Sequence, residues 1–173
     1  MSGPLSGDSA SCSQLGGMLR QLATRLRSTG RSAHDAFDNG DSARPGPVLV
    51  AARRRVDLVD AAAAAAAREV DRIGTALQAH ATDLAEALAT GRRLTARAEA
   101  AGLRVTDGEL AAAWGVSGVA DESANASQQD TREQLQRELD AVASLLAQRR
   151  HRLCATLRES QDVLATHAGA LRR

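Results

Sequence analysis

His34 and Asp38 stand four residues apart with Asp35 between them, so a helix would bring an imidazole and a carboxylate to one face as two metal ligands. A metal centre needs further donors at ligand spacing, and none follows. The polar end of a helix before a turn accounts for the group equally well. Asp38-Asn39-Gly40-Asp41 has the look of a calcium loop but lacks the twelve-residue spacing and its terminal Glu. Two cysteines, Cys12 and Cys154, allow one disulfide but no four-cysteine zinc site. No Ser/His/Asp or Cys/His/Asn arrangement stands out. Gly16-Gly17 precedes no Lys-Ser or Lys-Thr, so no phosphate-binding loop is present. Carboxylate pairs such as Asp57/Asp60 and Glu133/Glu138 are spread along solvated helix faces. The expectation is a non-enzyme with no catalytic residue, no metal and no cofactor.

The elements carrying these residues are helical. Aromatics make up 1% of the chain, one Trp and one Phe with no Tyr, while Ala is present at roughly twice its usual share. Ala favours helix, and sheets favour the aromatic and β-branched residues that are scarce here. The apolar supply suits thin seams between close helices. After a Gly/Ser/Pro-rich start, Ser11 and Gln14 fit a capping box. Leu15, Leu19, Leu22, Leu26 and Ala33 then recur at helical spacing, predicting a first helix over about 11–37. Pro45-Gly46-Pro47 breaks it.

A second helix is predicted over about 47–101. With Val56 at heptad position a, the a series reads Val56, Ala63, Val70, Leu77, Leu84, Gly91, Ala98, and the d series Val59, Ala66, Ile73, His80, Ala87, Leu94, Ala101. Six of seven positions in each series are apolar, a coiled-coil-like period. His80 is the polar exception, expected as a packed seam residue. At 1.5 Å per residue this helix would be roughly 80 Å long, so an elongated molecule is expected. Residues 102–128 form a tip connection, in which Leu103-Arg104-Val105, Asp107-Gly108 and Leu110 could make a small hairpin. A third helix is predicted over about 129–172, with Leu135, Leu139, Val142, Leu146, Leu153, Leu157, Leu164 and Leu171 on one face and a phase slip near Leu153–Leu157. The fold class is therefore all-α: one elongated domain, an antiparallel three-helix bundle or coiled-coil hairpin with helix 2 as its spine and a Trp-containing loop or small hairpin at one tip.

Counting back from each turn, Cys12 and Cys154 both fall beside Arg72 to Gln78 of helix 2, at axial levels differing by about 10 Å. They are expected either to pair as a disulfide or to sit as two buried thiols. Trp114, flanked by Gly115 and Gly118 in the tip connection, either plugs the end of a helical seam or anchors a partner, as Trp does at many interfaces. The net charge is +1, and aromatic stacking partners are missing, so Arg53-Arg54-Arg55 and Arg149-Arg150-His151-Arg152 are expected as solvated helix charge, not a nucleic-acid surface. No stretch reaches the roughly 20 apolar residues of a membrane span. Met1-Ser2-Gly3-Pro4 lacks the basic and apolar regions of a signal peptide, so general secretion is not expected.

Two segments carry a resemblance. Gly7-Asp8-Ser9-Ala10 with Leu15-Gly16-Gly17-Met18-Leu19-Arg20-Gln21-Leu22-Ala23 resembles the opening of actinobacterial helical proteins associated with type VII secretion, the WXG100-like superfamily. The run from Ala100-Ala101-Gly102-Leu103 to Trp114-Gly115-Val116-Ser117-Gly118-Val119-Ala120-Asp121 is similar to an element of actinobacterial proteins of this kind. The family's Trp-any-Gly motif is not met, because Gly115 follows Trp114 directly and the next glycine is Gly118. A chain without Tyr also cannot carry the Tyr-based export signal. The resemblance implies a helical adaptor, partner or substrate that binds protein, located in the cytoplasm or exported with a partner. The alternative is a stand-alone coiled-coil protein that self-associates in the cytoplasm.

Overall fold

The computed structural model describes residues 5–40, 46–106, 108–112 and 122–171. The chain is all-α with one small strand pair: α1 Ser9–Gly40, α2 Pro47–Ala100, β1 Leu103–Thr106, β2 Glu109–Ala112 and α3 Glu122–Leu171. The chain divides into two compact units. One is drawn from residues 1–9 and 80–151, the other from 10–79 and 152–173. Trp114, Gly115 and Gly118 lie outside the described residues.

In the unit built from 10–79 and 152–173, α1 runs antiparallel to the first part of α2, and glycine decides how closely. A methyl on Gly16 would stand 2.7 Å from the backbone oxygen of Gly74, and one on Gly74 would stand 2.7 Å from that of Gly16. About four turns along, a methyl on Gly30 would meet the Cβ of Ala63 at 2.8 Å. Gly16, Ala23 and Gly30, seven residues apart, are buried. Leu19 and Leu26 pack beside Ala23, Ala67 and Val70. This corrects the predicted stripe. Of its members only Leu19 and Leu26 turn to the seam, while Leu15, Leu22 and Ala33 are exposed, because backbones this close leave room for small residues only.

The heptad series of α2 needs a correction in the same unit. Val59, predicted at d, is 40% exposed, while Ala62, Ala65 and Ala67, off both series, are buried. A single seam does not describe this stretch, since α2 meets two helices. Asp71 pairs with Arg20 of α1 at 3.3 Å, and Arg72 pairs with Glu159 of α3 at 2.5 Å. Successive residues point about 100° apart on a helix, so the poly-Ala run is covered on two sides. The side chain of Arg72 is held more firmly protonated by its hydrogen bond to Glu159.

In the unit built from 1–9 and 80–151 the series describes most of the buried positions of α2, with Ala81 buried off it. Leu84, Ala87, Gly91, Leu94 and Ala98 are buried, all at predicted a or d positions. They form two clusters, Leu84 and Ala87 with Leu146, and Leu94 and Ala98 with Leu103, Leu110, Leu135 and Leu139. Leu5 packs against both. Gly102 (φ +71°) ends α2 in the left-handed conformation, its N–H bonded to the Glu99 carbonyl at 3.0 Å. The predicted hairpin forms, with Leu103 opposite Ala112 and Thr106 opposite Glu109. Gly108 (φ +92°) supplies the positive φ that the two-residue turn demands. α3 begins at Glu122, seven residues before the predicted start near 129, because nothing in Glu122 to Gln128 forbids a helix. Within this unit α3 buries Leu135, Leu139 and Leu146.

Candidate partner-binding surfaces

The outward face of α1 is an exposed apolar surface of its unit, as is the start of α2, where Val48, Val50, Leu58 and Val59 are exposed. Leu15, Met18 and Leu22 are 50%, 59% and 44% exposed. Leu15 and Leu22 each immediately precede a seam residue, Gly16 and Ala23, and so lie about 100° around the helix from the α2 contact. The seam therefore cannot cover them. Ile73 and Leu77 of α2, level with this ridge, are half-buried. Arg20 is turned away, donating to Asp71 and to Gln78 at 3.3 Å each.

At the far end of the same helix the residues singled out for metal chemistry form an ion-pair cluster. His34 lies 3.4 Å from Asp38 and, through its other ring nitrogen, 3.3 Å from Asp57 of α2. Arg53 closes on Asp38 at 3.3 Å. These contacts tie the end of α1 to the start of α2. Among the described residues no group of three or more His, Cys, Asp or Glu side chains is placed to hold a metal ion. Arg53 is thus engaged in helix pairing, and Arg149 likewise bonds Asp83 at 2.5 Å.

The two cysteines are brought to similar levels but not together. Gly16 sits on Gly74 and Gln78, placing Cys12 one turn beyond; Glu159 sits on Arg72, placing Cys154 about one turn beyond. Axial agreement holds, yet α1 and α3 approach α2 along the different stripes marked by Asp71 and Arg72. The disulfide considered from the sequence is not formed here: both are free, half-buried thiols.

At the hairpin, two α3 side chains that sequence patterning passed over do the positioning. The Leu110 N–H donates to Gln136 Oε1 at 2.9 Å, and Gln136 Nε2 donates to the Gly108 carbonyl at 3.1 Å. Arg132 Nε donates to the Leu110 carbonyl at 2.6 Å. Both backbone groups of Leu110 are thereby bonded by α3 side chains, and the buried Leu103 and Leu110 fix the hairpin on the core. Beside it lies a groove of about 350 Å³, lined by Leu5, Leu88, Gly91, Thr95, Val105 and Leu139 among others. Nearby, Arg97 and Gln134 donate to Glu138. The Arg97 bond above all, then that of Gln134, holds the Glu138 carboxyl below the usual carboxylate range.

Two buried polar groups stand apart from these networks. His80, the seam histidine, is 8% exposed and its Nδ1 has no hydrogen-bond partner, and the fully buried Ser160 hydroxyl has none either. Among the described residues no helix is long and apolar enough to cross a membrane. No protein-family model matches the chain, and no curated protein or solved structure matches it.

Proposed function

We propose that the chain is a non-enzymatic helical interaction protein, an adaptor, partner or substrate associated with type VII secretion. The observation that carries the interaction reading is the exposed ridge Leu15-Met18-Leu22 on a helix whose α2 seam is already filled. Apolar residues at i, i+3 and i+7 facing water form the pattern by which one helix is laid against a partner. Removing them from water on binding is favourable. The secretion assignment rests on the resemblance of the N-terminal run and of residues 100–121. In this reading α2 is the spine of an antiparallel helical bundle, Trp114 with Gly115 and Gly118 supplies an aromatic anchor, and the protein stays in the cytoplasm or leaves the cell with its partner.

Affinity capture from source cells with tagged wild type, Leu22→Glu and Trp114→Ala tests each part. A WXG100-type protein or a secretion ATPase is expected with wild type and at reduced yield with both variants. Recovery unchanged by folded Leu22→Glu removes the ridge, and recovery unchanged by folded Trp114→Ala removes the anchor. Recovery of no type VII component removes the secretion assignment. A second reading, a self-associating structural coiled coil of the cytoplasm, rests on the same exposed apolar residues of α1. It expects self-assembly with no captured partner.

A further inference from the structure

We propose that the groove beside the hairpin is a binding site for a short non-helical peptide, and that the chain's own Leu5-Ser6-Gly7 occupies it as a detachable strap. Each of the three residues makes one contact with its unit. Leu5, half-buried, packs against both core clusters. It sits over Gly91, where an added methyl would stand 2.7 Å from Leu5 Cδ1. The Ser6 carbonyl accepts a hydrogen bond from Arg150 Nη2 at 3.3 Å. Gly7 lies so close to the buried Leu84 that a methyl there would stand 2.8 Å from Leu84 Cδ2. Its φ of +149° is also one that residues with a side chain rarely adopt. The groove therefore recognises a leucine, then a residue read only through its carbonyl, then a glycine.

Two observations make the strap displaceable. Among the described residues no backbone–backbone hydrogen bond joins residues 5–7 to α2, the hairpin or α3, so release breaks the Arg150 bond and uncovers one apolar side chain. The groove also keeps about 350 Å³ of open space with Leu5 in place, beside Leu88, Val105 and Leu139. A peptide with a bulkier anchor fills more of it than the strap does. Half-burial of one leucine favours closure by about tenfold. The groove is then open to an outside peptide for about a tenth of the time, which weakens that peptide's apparent affinity about tenfold. The groove and the α1 ridge belong to different units, so the failure of one leaves the other standing.

Methyl NMR on the full chain, ¹³C-labelled at Leu and Val, tests this with an unlabelled peptide of residues 1–10 titrated to about 5 mM, the range of a tethered segment's effective concentration. Circular dichroism checks the fold of each variant. The methyls of Leu88 and Val105 are expected to shift. Leu5→Ser, which empties the socket, should bind the peptide about tenfold more tightly than wild type. Gly7→Ala, which keeps the leucine but drives the strap off Leu84, should bind it more tightly as well. Adding Gly91→Leu to Leu5→Ser fills the socket and should abolish binding, and a peptide carrying Leu5→Ser should not bind any chain. A folded Leu5→Ser chain whose methyls do not shift overturns the peptide site, as does binding that survives Gly91→Leu. Equal affinity of wild type and Leu5→Ser for the peptide overturns the strap.

Discussion

A single methyl group at Gly16 measures how closely α1 and α2 are packed. The Cβ of Gly16→Ala would lie 2.7 Å from the Gly74 carbonyl oxygen, 2.7 Å from Gln78 Cγ and 3.2 Å from the Gln78 backbone nitrogen. Two of those neighbours are main-chain atoms that cannot rotate aside, so the helices must separate or shift. Overpacking of this kind costs about 1–3 kcal/mol. Against it stands the helix propensity of Ala over Gly, about 1 kcal/mol. The net expected is a loss of about 1 kcal/mol, a fall in Tm of about 2–4 °C for a chain of this length. The adjacent Gly17→Ala gains the same propensity and meets only Gln78 Nε2, at 3.7 Å. It should therefore stabilise by about 0.5–1 kcal/mol. Gly91→Ala is the intermediate case, since its nearest neighbour at 2.7 Å is the mobile end of Leu5; it should be close to neutral. Urea and thermal denaturation followed at 222 nm, at equal protein concentration, read all three. A Gly16→Ala variant as stable as Gly17→Ala would refute the close-backbone account of the seam.

Ser160→Ala removes a buried hydroxyl without a partner, and a rise in stability of about 1 kcal/mol is expected by urea denaturation; a clear loss would mean the hydroxyl is bonded. Gln136→Ala frees both the Leu110 N–H and the Gly108 carbonyl, so a loss of about 1–2 kcal/mol and faster hydrogen exchange at the Leu110 amide are expected, with unchanged exchange counting against the clamp. Because the folded Glu138 carboxyl titrates lower than an unfolded glutamate, its contribution is present above the ordinary value of about 4.3 and disappears as pH falls through the lower folded value. Arg97→Gln should raise the Glu138 midpoint in a carboxyl NMR titration, and a midpoint that does not move would contradict the assigned cause.

Much of the architecture is legible from spacing, and the failures share one origin. Both ends of α2 are placed to within a residue, because Pro47 can open a helix and Gly102 can end one whatever the helix packs against. Asp107-Gly108 marks the hairpin for the same reason: turn chemistry is local. The surface of α1 is different. Its leucines and its small residues give two adjacent stripes of similar periodicity, and only the 2.7 Å approach of Gly16 and Gly74 decides that the small ones face α2 and the leucines face water. Likewise, a heptad assumes one partner, and Ala62, Ala65 and Ala67 depart from it where α2 has two. Gln136 and Arg132 carry no periodic signal, because their role exists only once the hairpin lies beside α3. The ridge at Leu15, Met18 and Leu22 was thus half visible: two of its members stand in the predicted stripe, on the wrong side of it.

The most direct test of the account is whether the α1 ridge is where this protein meets another. The chain has two methionines, so ¹³C-methyl labelling gives two signals, and Met18→Leu assigns one. The Met18 methyl is expected to shift and broaden as the chain is concentrated, or as a captured partner is added, in step with the association seen by light scattering. A Met18 signal that stays fixed while association proceeds would place the working surface elsewhere and contradict the account.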